Sequence, residues 1–368
     1  MTNLLENTDL RIGAARQFNN LTAPKEDFFF VNILGNPLFD FEPTGIYKFL
    51  FKNEQIREQS PVLAPSATRP TKRPPIFGYT NTIQTRRMGL QFKPSKLWLR
   101  DHKFNELLNR SEEMAIAELM EFSWKMHLRT IAYWVSQVML TGILPGQRST
   151  VDDTDFAYPA YDFSMSSSNI IDLSANYEWD DGSTMRPIYD IKLGVLTIRQ
   201  NGVGDAPINC VMSPEVNTYF IDYLGRITTP ASGSAAYNYR ISERTANMAV
   251  EQDLVPAGLF GVKNYFVNRE TYTTPSTAAI VAGTSTRYLS YEYLILYPED
   301  IRNPETGSLF SVESVCEQQN RETLAFDLVR YWRAYVPDGS TTVVAESEMS
   351  AIVGAFAPNR NYVIKAIP

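Results

Sequence analysis

Cysteine, histidine and long apolar runs are all scarce in this chain of 368 residues. Cys210 and Cys316 are the only cysteines, too few for the disulfide framework of a small secreted domain. The two histidines, His102 and His127, lie far apart along the chain and lack the spacing of a helical zinc-binding pair, so each is predicted to be a helix-surface or packing residue. Apolar stretches such as residues 28–31 are too short to cross a bilayer, and no secretory leader opens the chain. We therefore expect a cytosolic product with no membrane partner.

The sequence also lacks the short motifs of common enzyme classes. It contains no nucleophile elbow, no Walker phosphate-binding loop and no complete dinucleotide-binding glycine fingerprint. Glu178, Asp180 and Asp181 resemble glycosidase carboxylates in type, but beside Gly182 in a polar stretch they are predicted to be turn and cap residues. Cys210 is predicted to lie in a buried strand with an unreactive thiol. We expect no catalytic residue, no cofactor and no metal ion.

The overall composition is that of a soluble folded chain long enough for two cores, with 44% hydrophobic and 20% charged residues. Aromatic residues are abundant, at 20 Tyr, 20 Phe and 5 Trp, which fits a large core or extensive protein–protein contact. The net charge of −7 argues against a protein whose whole surface binds nucleic acid.

Acidic residues are absent between Gln59 and Arg100, whereas eight basic residues fall there, which leaves a net charge of −15 on the rest of the chain. Repeated prolines in this segment exclude a continuous helix. Residues that favour β-structure flank positions 84–87 and predict a long β-hairpin with Arg86 and Arg87 near its tip. Three interpretations stay open: a solvated basic loop, a nucleic-acid contact, or a hairpin that lies on a second copy of the same chain.

The apolar residues among the first 60 positions recur with no sustained helical or strand period. Apolar clusters at residues 28–31 and 39–41 predict an extended arm that packs against another surface, with one short helix near residues 46–51. An ordinary N-terminal part of the core is the alternative.

A helical period begins after Asp101, a suitable N-cap, and apolar residues then keep one face as far as Thr141. Gly142 and Pro145 are expected to end this helix. A break near residue 110 would leave a helix that starts at Ser111 and is about 45 Å long at the usual rise. Because no strict heptad persists, a β-sheet laid across the helix is its expected partner.

Helices and strands alternate in the next part of the chain, which predicts an inserted α/β domain. Helices are predicted to begin at Pro187 and, after the cap Ser213, at Pro214. Predicted strands of this domain cover residues 208–212, 262–267 and 293–297. A closing β region is predicted at residues 325–336, 341–345 and 361–367.

Three stretches carry a resemblance to a known family. They are Trp179-Asp180-Asp181-Gly182 followed by Pro187-Ile188-Tyr189-Asp190-Ile191; Asn209-Cys210-Val211-Met212-Ser213-Pro214-Glu215-Val216; and the last forty residues, with Ala357-Pro358-Asn359-Arg360-Asn361 before the final strand. Together with the order of parts, these stretches resemble the major capsid proteins of tailed bacteriophages, and more specifically the family of the phage lambda major head protein.

The resemblance implies an α+β fold, the phage major capsid fold, with four parts. They are an N-terminal arm (1–60), an extended β-hairpin called the E-loop (61–100), a peripheral domain that contains a long spine helix (101–185 and 310–368), and an inserted α/β axial domain (186–309).

The resemblance further implies a structural subunit and not an enzyme. Such a subunit self-assembles into the hexamers and pentamers of an icosahedral head that encloses double-stranded DNA, and it forms the virion capsid after assembly in the cytoplasm of a bacterial host. The implied partners are other copies, a separate scaffolding protein, a portal, a decoration protein as a further candidate, and packaged DNA through weak non-specific contact. The alternatives are an encapsulin-like nanocompartment shell, a nucleic-acid-binding protein and a carboxylate hydrolase.

Contacts between subunits are predicted to join basic residues of the hairpin to acidic residues of a neighbour's spine helix. The basic set is Arg69, Lys72, Arg73, Arg86, Arg87, Lys93 and Lys96, and the acidic set is Glu112, Glu113, Glu118 and Glu121. Exposed ion pairs contribute only about 0–1 kcal/mol each, so charge would set the register while apolar burial supplies affinity. Reversing Arg86 and Arg87 to Glu is then expected to block assembly and leave the monomer folded.

Overall fold

The computed structural model describes Phe29, Ile33 and residues 46–52, 78–84, 86–93, 112–148, 157–173, 177–181, 185–228, 243–273, 285–299, 310–315, 331–335, 344–355 and 357–368. Within these ranges, every helix is too short or too polar to cross a membrane.

Helices and strands are mixed along the chain, as expected for an α+β fold. The α-helices of the described ranges are α1 (Glu112–Thr141), α2 (Pro187–Ile198), α3 (Pro214–Thr228) and α4 (Glu243–Gln252). The strands are β1 (Ile46–Lys52), β2 (Gly78–Gln84), β3 (Arg86–Phe92), β4 (Ile143–Leu144), β5 (Gln147–Arg148), β6 (Ala157–Tyr158), β7 (Tyr161–Asp162), β8 (Ile170–Asp172), β9 (Ile208–Met212), β10 (Val262–Val267), β11 (Thr271–Thr273), β12 (Ser285–Arg287), β13 (Tyr293–Pro298), β14 (Phe310–Val315), β15 (Tyr331–Tyr335), β16 (Val344–Ala355) and β17 (Tyr362–Lys365).

The long helix is confirmed over the 30 residues of α1 as far as Thr141, and the residues before Glu112 lie outside the described ranges. Gly142 ends it with a φ of +70°, a backbone conformation that side chains with a Cβ rarely adopt. The predicted N-cap Asp101 lies outside the described residues. Buried residues of α1, among them Leu128 and Val135, pack on a four-stranded sheet, so the expected sheet partner is confirmed.

Strand β16 is the centre of that four-stranded sheet. It pairs antiparallel with β14 through residues 350–355, with β15 through residues 344–348 and with β3 through residues 345–351. The predicted closing β region is therefore present. Its partner β3 comes from about 260 residues earlier in the chain, and no local sequence pattern predicts this pairing.

The hairpin predicted on either side of residues 84–87 is wrong. Strand β2 pairs antiparallel with β1, whereas β3 joins β16, so the two strands next to residues 84–87 belong to different sheets. The helix predicted near residues 46–51 is also wrong, because β1 occupies that segment. Its aromatic residues Tyr47, Phe49 and Phe51 recur with the period of two that characterises a strand.

A five-stranded sheet in the order β10-β9-β13-β17-β8 organises the second half of the chain. The predicted starts of α2 at Pro187 and α3 at Pro214 are confirmed, as are strands β9, β10 and β13. Two of the five strands, β17 and β8, come from segments assigned to the peripheral domain by the resemblance. The proposed boundary at residues 186–309 therefore cuts through one sheet.

The five-stranded sheet separates two cores. Val211, Ile295 and Val363 on one face share a core with α1 and the four-stranded sheet. Alternate residues on the other face, such as Leu296, share a second core with α2 and α3. Helix α2 approaches this face closely at Gly194, where an added Cβ would lie 2.5 Å from the Leu296 side chain and 2.6 Å from that of Tyr362.

Within the predicted N-terminal arm and before β1, Phe29 and Ile33 are described, and both lie inside the first core. Phe29 and Ile33 are fully buried, and the Phe29 ring lies 6.1 Å from that of Tyr288. For these two residues the alternative interpretation, an N-terminal part of the core, is therefore confirmed.

Candidate assembly surfaces

Arg86 lies in the core of its own subunit. Its Nη1 donates to the carbonyl oxygen of Pro145 and its Nη2 to that of Pro159 at 3.0 Å. The guanidinium also lies 5.5 Å from the centroid of the Trp134 ring. Burial lowers the pKa of Arg86 to about 10, which leaves it charged at neutral pH.

These contacts correct the prediction that Arg86 lies at an exposed tip and reaches a neighbour. Arg86 is 2% exposed, and its donors meet carbonyl groups of the same chain. The expectation that Arg86→Glu leaves the monomer folded fails for the same reason, because a buried carboxylate would face two carbonyl oxygens.

The other basic residues of the predicted interface lie in three kinds of position. Arg87 pairs with Ser350 in the ladder between β3 and β16, and Lys93 is exposed just after β3. Arg69, Lys72 and Arg73 belong to the connection between β1 and β2, and Lys96 follows β3; all four lie outside the described residues. The β1–β2 ribbon, and not the predicted β2–β3 hairpin, thus carries the basic connection.

The acidic residues of the predicted interface all belong to α1. Glu121 forms an ion pair with Lys125, with 2.7 Å between Oε1 and Nζ and both side chains about two-fifths exposed. Glu112, Glu113 and Glu118 fall in its first two turns. The spine helix therefore begins with a run of carboxylates, one of which already has a partner in its own helix.

The two faces of the β1–β2 ribbon differ in amino-acid composition. In its register, Tyr47 is opposite Ile83 and Phe51 is opposite Tyr79, so these residues fall on one face of the ribbon. Lys48 and Lys52 alternate with them in β1. Among the described residues, the ribbon has two strands and no third. Two-stranded ribbons need further packing to be stable in water.

His127 is a packing residue, as predicted. It is 4% exposed, and its Nε2 lies 3.0 Å from the hydroxyl of Ser347 on β16. Burial lowers the pKa of His127 to about 4. His127 therefore ties the spine helix to the sheet in its neutral form, whereas His102 lies outside the described residues.

The carboxylate residues beside Trp179 belong to a turn, as predicted. The amide of Asp181 donates to the carbonyl of Glu178 at 3.2 Å, and Asp180 lies within the same turn. The buried carboxylate here is Asp190, which accepts a hydrogen bond from the Trp179 indole at 3.1 Å and lies 3.4 Å from Arg186. Burial raises the pKa of Asp190 to about 6, against the opposing effects of these two partners.

The described part of the chain contains neither a reactive cysteine nor a cluster of metal ligands. Cys210 is fully buried in β9, and burial raises the pKa of its thiol. The described residues contain no group of three or more His, Cys, Asp or Glu side chains placed to hold a metal ion.

Sequence reasoning missed a row of exposed apolar residues on α2. Tyr189, Leu193 and Leu196 are 51%, 38% and 52% exposed. Their spacing of four and three residues aligns them on one face of the helix, which we call the α2 stripe. The signal was present in the sequence, since Pro187–Ile198 has apolar residues all round and a helix of that kind is buried on both sides.

Known structures share this fold although their sequences differ. A protein from Escherichia coli CFT073, described as the capsid protein of a prophage, superimposes with a TM-score of 0.53 and 16% identity, over 94% of this chain and 100% of its own. A phage-related protein from Bordetella bronchiseptica RB50 superimposes with a TM-score of 0.52 and 14% identity, over 97% of each chain. No protein-family model matches the chain, and no curated protein matches its sequence.

The shared architecture extends over nearly the whole length of both structures. The α+β expectation from the sequence is confirmed. The chain has the fold of the phage major capsid proteins.

Proposed function

We propose that this chain is the major capsid protein of a tailed bacteriophage, a subunit that builds a closed shell from copies of itself. The observation that carries the proposal is the capsid fold, present over 94% of the chain in the superposition on the prophage protein. Because a fold alone does not determine a function, the surfaces must also suit self-assembly.

Two surfaces support the proposal. The β1–β2 ribbon has an aromatic face in its register, and the α2 stripe exposes three large apolar residues. Exposed apolar patches such as the α2 stripe mark sites of protein–protein contact on soluble proteins. A subunit that shares its surfaces with neighbours needs such patches, whereas an enzyme needs a concave site on which a few polar groups converge.

The finer parts of the proposal rest on the resemblance to the family of the phage lambda major head protein. They are the hexamers and pentamers of an icosahedral head, the enclosed double-stranded DNA, the location in the virion capsid, and assembly in the host cytoplasm. A scaffolding protein, a portal and a decoration protein complete the proposed partners. Weak DNA contact agrees with the net charge of −7, since an acidic body repels phosphate.

The charged contact between subunits is proposed in revised form. The basic residues Arg69, Lys72 and Arg73 of the ribbon connection meet the carboxylates at the start of α1 of a neighbour. Arg87, Lys93 and Lys96 are further candidates, and Arg86 is removed from the set because it is buried on its own chain. Apolar burial of the ribbon supplies most of the affinity, because exposed ion pairs contribute little.

Electron microscopy of the purified chain tests the proposal. Closed shells with icosahedral symmetry are the expected result, and their reconstruction should resolve six-fold and five-fold capsomers. Particles that enclose protein cargo in place of DNA in the native host would favour the nanocompartment alternative.

Two assays separate the remaining function classes. A nucleic-acid-binding protein would bind DNA tightly as an isolated subunit, with an affinity that falls steeply with salt. A carboxylate hydrolase would lose a measurable activity on Asp180→Asn. For the capsid protein we expect weak DNA binding and no such activity.

A further inference from the structure

The sequence contains an asparagine followed directly by a glycine at one place only, Asn201-Gly202. This dipeptide lies in the turn Arg199–Val203 that follows α2. In an unfolded chain an Asn-Gly dipeptide deamidates readily, because glycine has no side chain to hinder attack by its backbone nitrogen. Asn201 is therefore a candidate site of spontaneous modification, and its surroundings in the fold decide whether it reacts.

Each residue of the dipeptide has a structural role in the turn. Gly202 has a φ of +95°, a conformation that residues with a Cβ rarely adopt. Asn201 donates from its Nδ2 to the carbonyl oxygen of Asn359 at 2.8 Å, which ties the end of α2 to the segment before β17. The fold thus places a chemically reactive pair at this turn because it needs both residues there.

Deamidation would begin with attack of the Gly202 backbone nitrogen on the Cγ carbon of Asn201. A bond forms between these two atoms, and the side-chain amide group leaves as ammonia together with the proton of the attacking nitrogen. The product is a cyclic succinimide. Water then opens the ring at either of its carbonyl groups and gives aspartate or isoaspartate.

The backbone of the folded chain opposes this attack. The ψ of Asn201 is 20°, which turns the Gly202 nitrogen to the side of the Cα–C bond opposite Cβ, whereas ring closure needs the nitrogen on the same side as Cβ. Gly202 is exposed and Asn201 is half-buried, so water can reach the turn. The protection therefore comes from geometry and not from exclusion of solvent.

The Asn201 side chain is also held in place. Besides its bond to Asn359, its Nδ2 donates to the Oδ1 of Asn169 at 3.5 Å. Asn169 is 1% exposed, and its own Nδ2 donates to the carbonyl oxygens of Asn359 and Asn361 at 2.7 Å each. An aspartate at position 201 would turn a carboxylate toward two acceptor oxygens, so the product fits this site worse than the amide.

We propose that Asn201 is a deamidation site that the folded subunit protects, through the backbone conformation of the turn and the contacts with Asn169 and Asn359. Conversion to aspartate or isoaspartate then takes place in chains that are unfolded or locally open at this turn. The inference concerns the single subunit and does not depend on shell assembly.

Peptide mass spectrometry of the purified wild-type chain, with enzymatic labelling of isoaspartate, measures the reaction. The chain is incubated at mildly alkaline pH in native buffer and in concentrated urea. Deamidation at Asn201 should be at least about tenfold slower in native buffer, because only the small locally open population reacts there. Equal rates in the two solutions would overturn the proposal.

Two variants test the contribution of the contacts. Asn169→Ala removes the contact to the Asn201 Nδ2 and the two bonds that hold Asn359 and Asn361, so it should speed deamidation at Asn201 in native buffer. Asn264→Ala is the matched control, because it removes a side-chain bond of similar kind, from Nδ2 to the Asn209 Oδ1 at 3.2 Å, in the five-stranded sheet.

Asn264→Ala should leave the rate at Asn201 close to that of the wild type. An Asn169→Ala rate no higher than that of Asn264→Ala would overturn the protective role of the contacts. Asn201→Asp imitates one product and should unfold at a lower urea concentration than the wild type. Should Asn169→Ala not fold, the wild-type rates in native buffer and in urea still decide the proposal.

Discussion

Replacement of Arg86 by Met should destabilise the subunit itself. The substitution keeps much of the side-chain volume but removes the donors to Pro145 and Pro159. Hydrogen bonds to a charged group contribute about 1.5–3 kcal/mol each, and relief from burying the charge offsets part of the loss. We therefore expect a net loss of about 2–4 kcal/mol in the free energy of unfolding, within the range of a broken buried network.

Chemical denaturation of the monomer, followed by circular dichroism, measures this loss. Lys93→Met is the matched control, because Lys93 is an exposed cation one residue beyond the end of β3. Its free energy of unfolding should change by less than about 0.5 kcal/mol. Arg86→Lys should fall between the two, since an ammonium group keeps the charge but cannot reach two carbonyls with a planar fork.

Equal stability of Arg86→Met and Lys93→Met would refute the placement of Arg86 in the core. So would an Arg86→Met chain that folds with wild-type stability and fails only in assembly. That second outcome is what the sequence alone predicted for a residue at an exposed hairpin tip.

Three further substitutions and one control test the cores. Gly194→Ala should cost about 1–3 kcal/mol through overpacking against the sheet, whereas Gly225→Ala in α3, where an added Cβ meets nothing within 4 Å, should be neutral or stabilising. Asp190 has a folded-state pKa of about 6, above its unfolded value, so the wild type should lose stability relative to Asp190→Asn as pH rises from about 4 to 6. His127 has a folded-state pKa of about 4, below its unfolded value, so the wild type should lose stability relative to His127→Gln as pH falls from about 6.5 to 4.

Thermal melts of each pair over pH 4–7 separate the two ionisations, since they act in opposite directions. A difference between wild type and Asp190→Asn that stays constant with pH would contradict the burial of that carboxylate. The same constancy for His127→Gln would contradict the buried contact with Ser347. A Gly194→Ala chain as stable as Gly225→Ala would contradict the close approach of α2 to the sheet.

The sequence correctly predicted those elements whose ends depend on residues next to them in the chain. The end of α1 at Thr141 follows from Gly142, and the start of α2 follows from a proline at the first helical position. Strand β9 and helix α3 follow from a short apolar run and a Ser-Pro step. The apolar period of α1 also predicted that a sheet would cover it.

Those local signals could not predict which distant segments pair with each other. Both β2 and β3 were recognised as β-forming, but their true partners, β1 and β16, are separated from them by many residues. Arg86 was assigned to the surface because it was placed near the tip of a predicted hairpin. Its burial depends on carbonyl acceptors from loops about 60 and 70 residues away, which no local pattern specifies.

The α2 stripe was missed for a different reason. An apolar helix predicts burial, and the sequence alone cannot say whether the cover comes from the same chain or another. Only the fold shows that the second core covers one face of α2 and leaves Tyr189, Leu193 and Leu196 exposed.

Sedimentation velocity of the purified chain, over a range of protein concentrations and ionic strengths, tests the central claim most directly. Self-assembly predicts a cooperative change from slow-sedimenting subunits or capsomers to one fast, homogeneous shell species above a threshold concentration. A single monomer boundary under every condition would contradict the claim that this chain builds a shell from copies of itself.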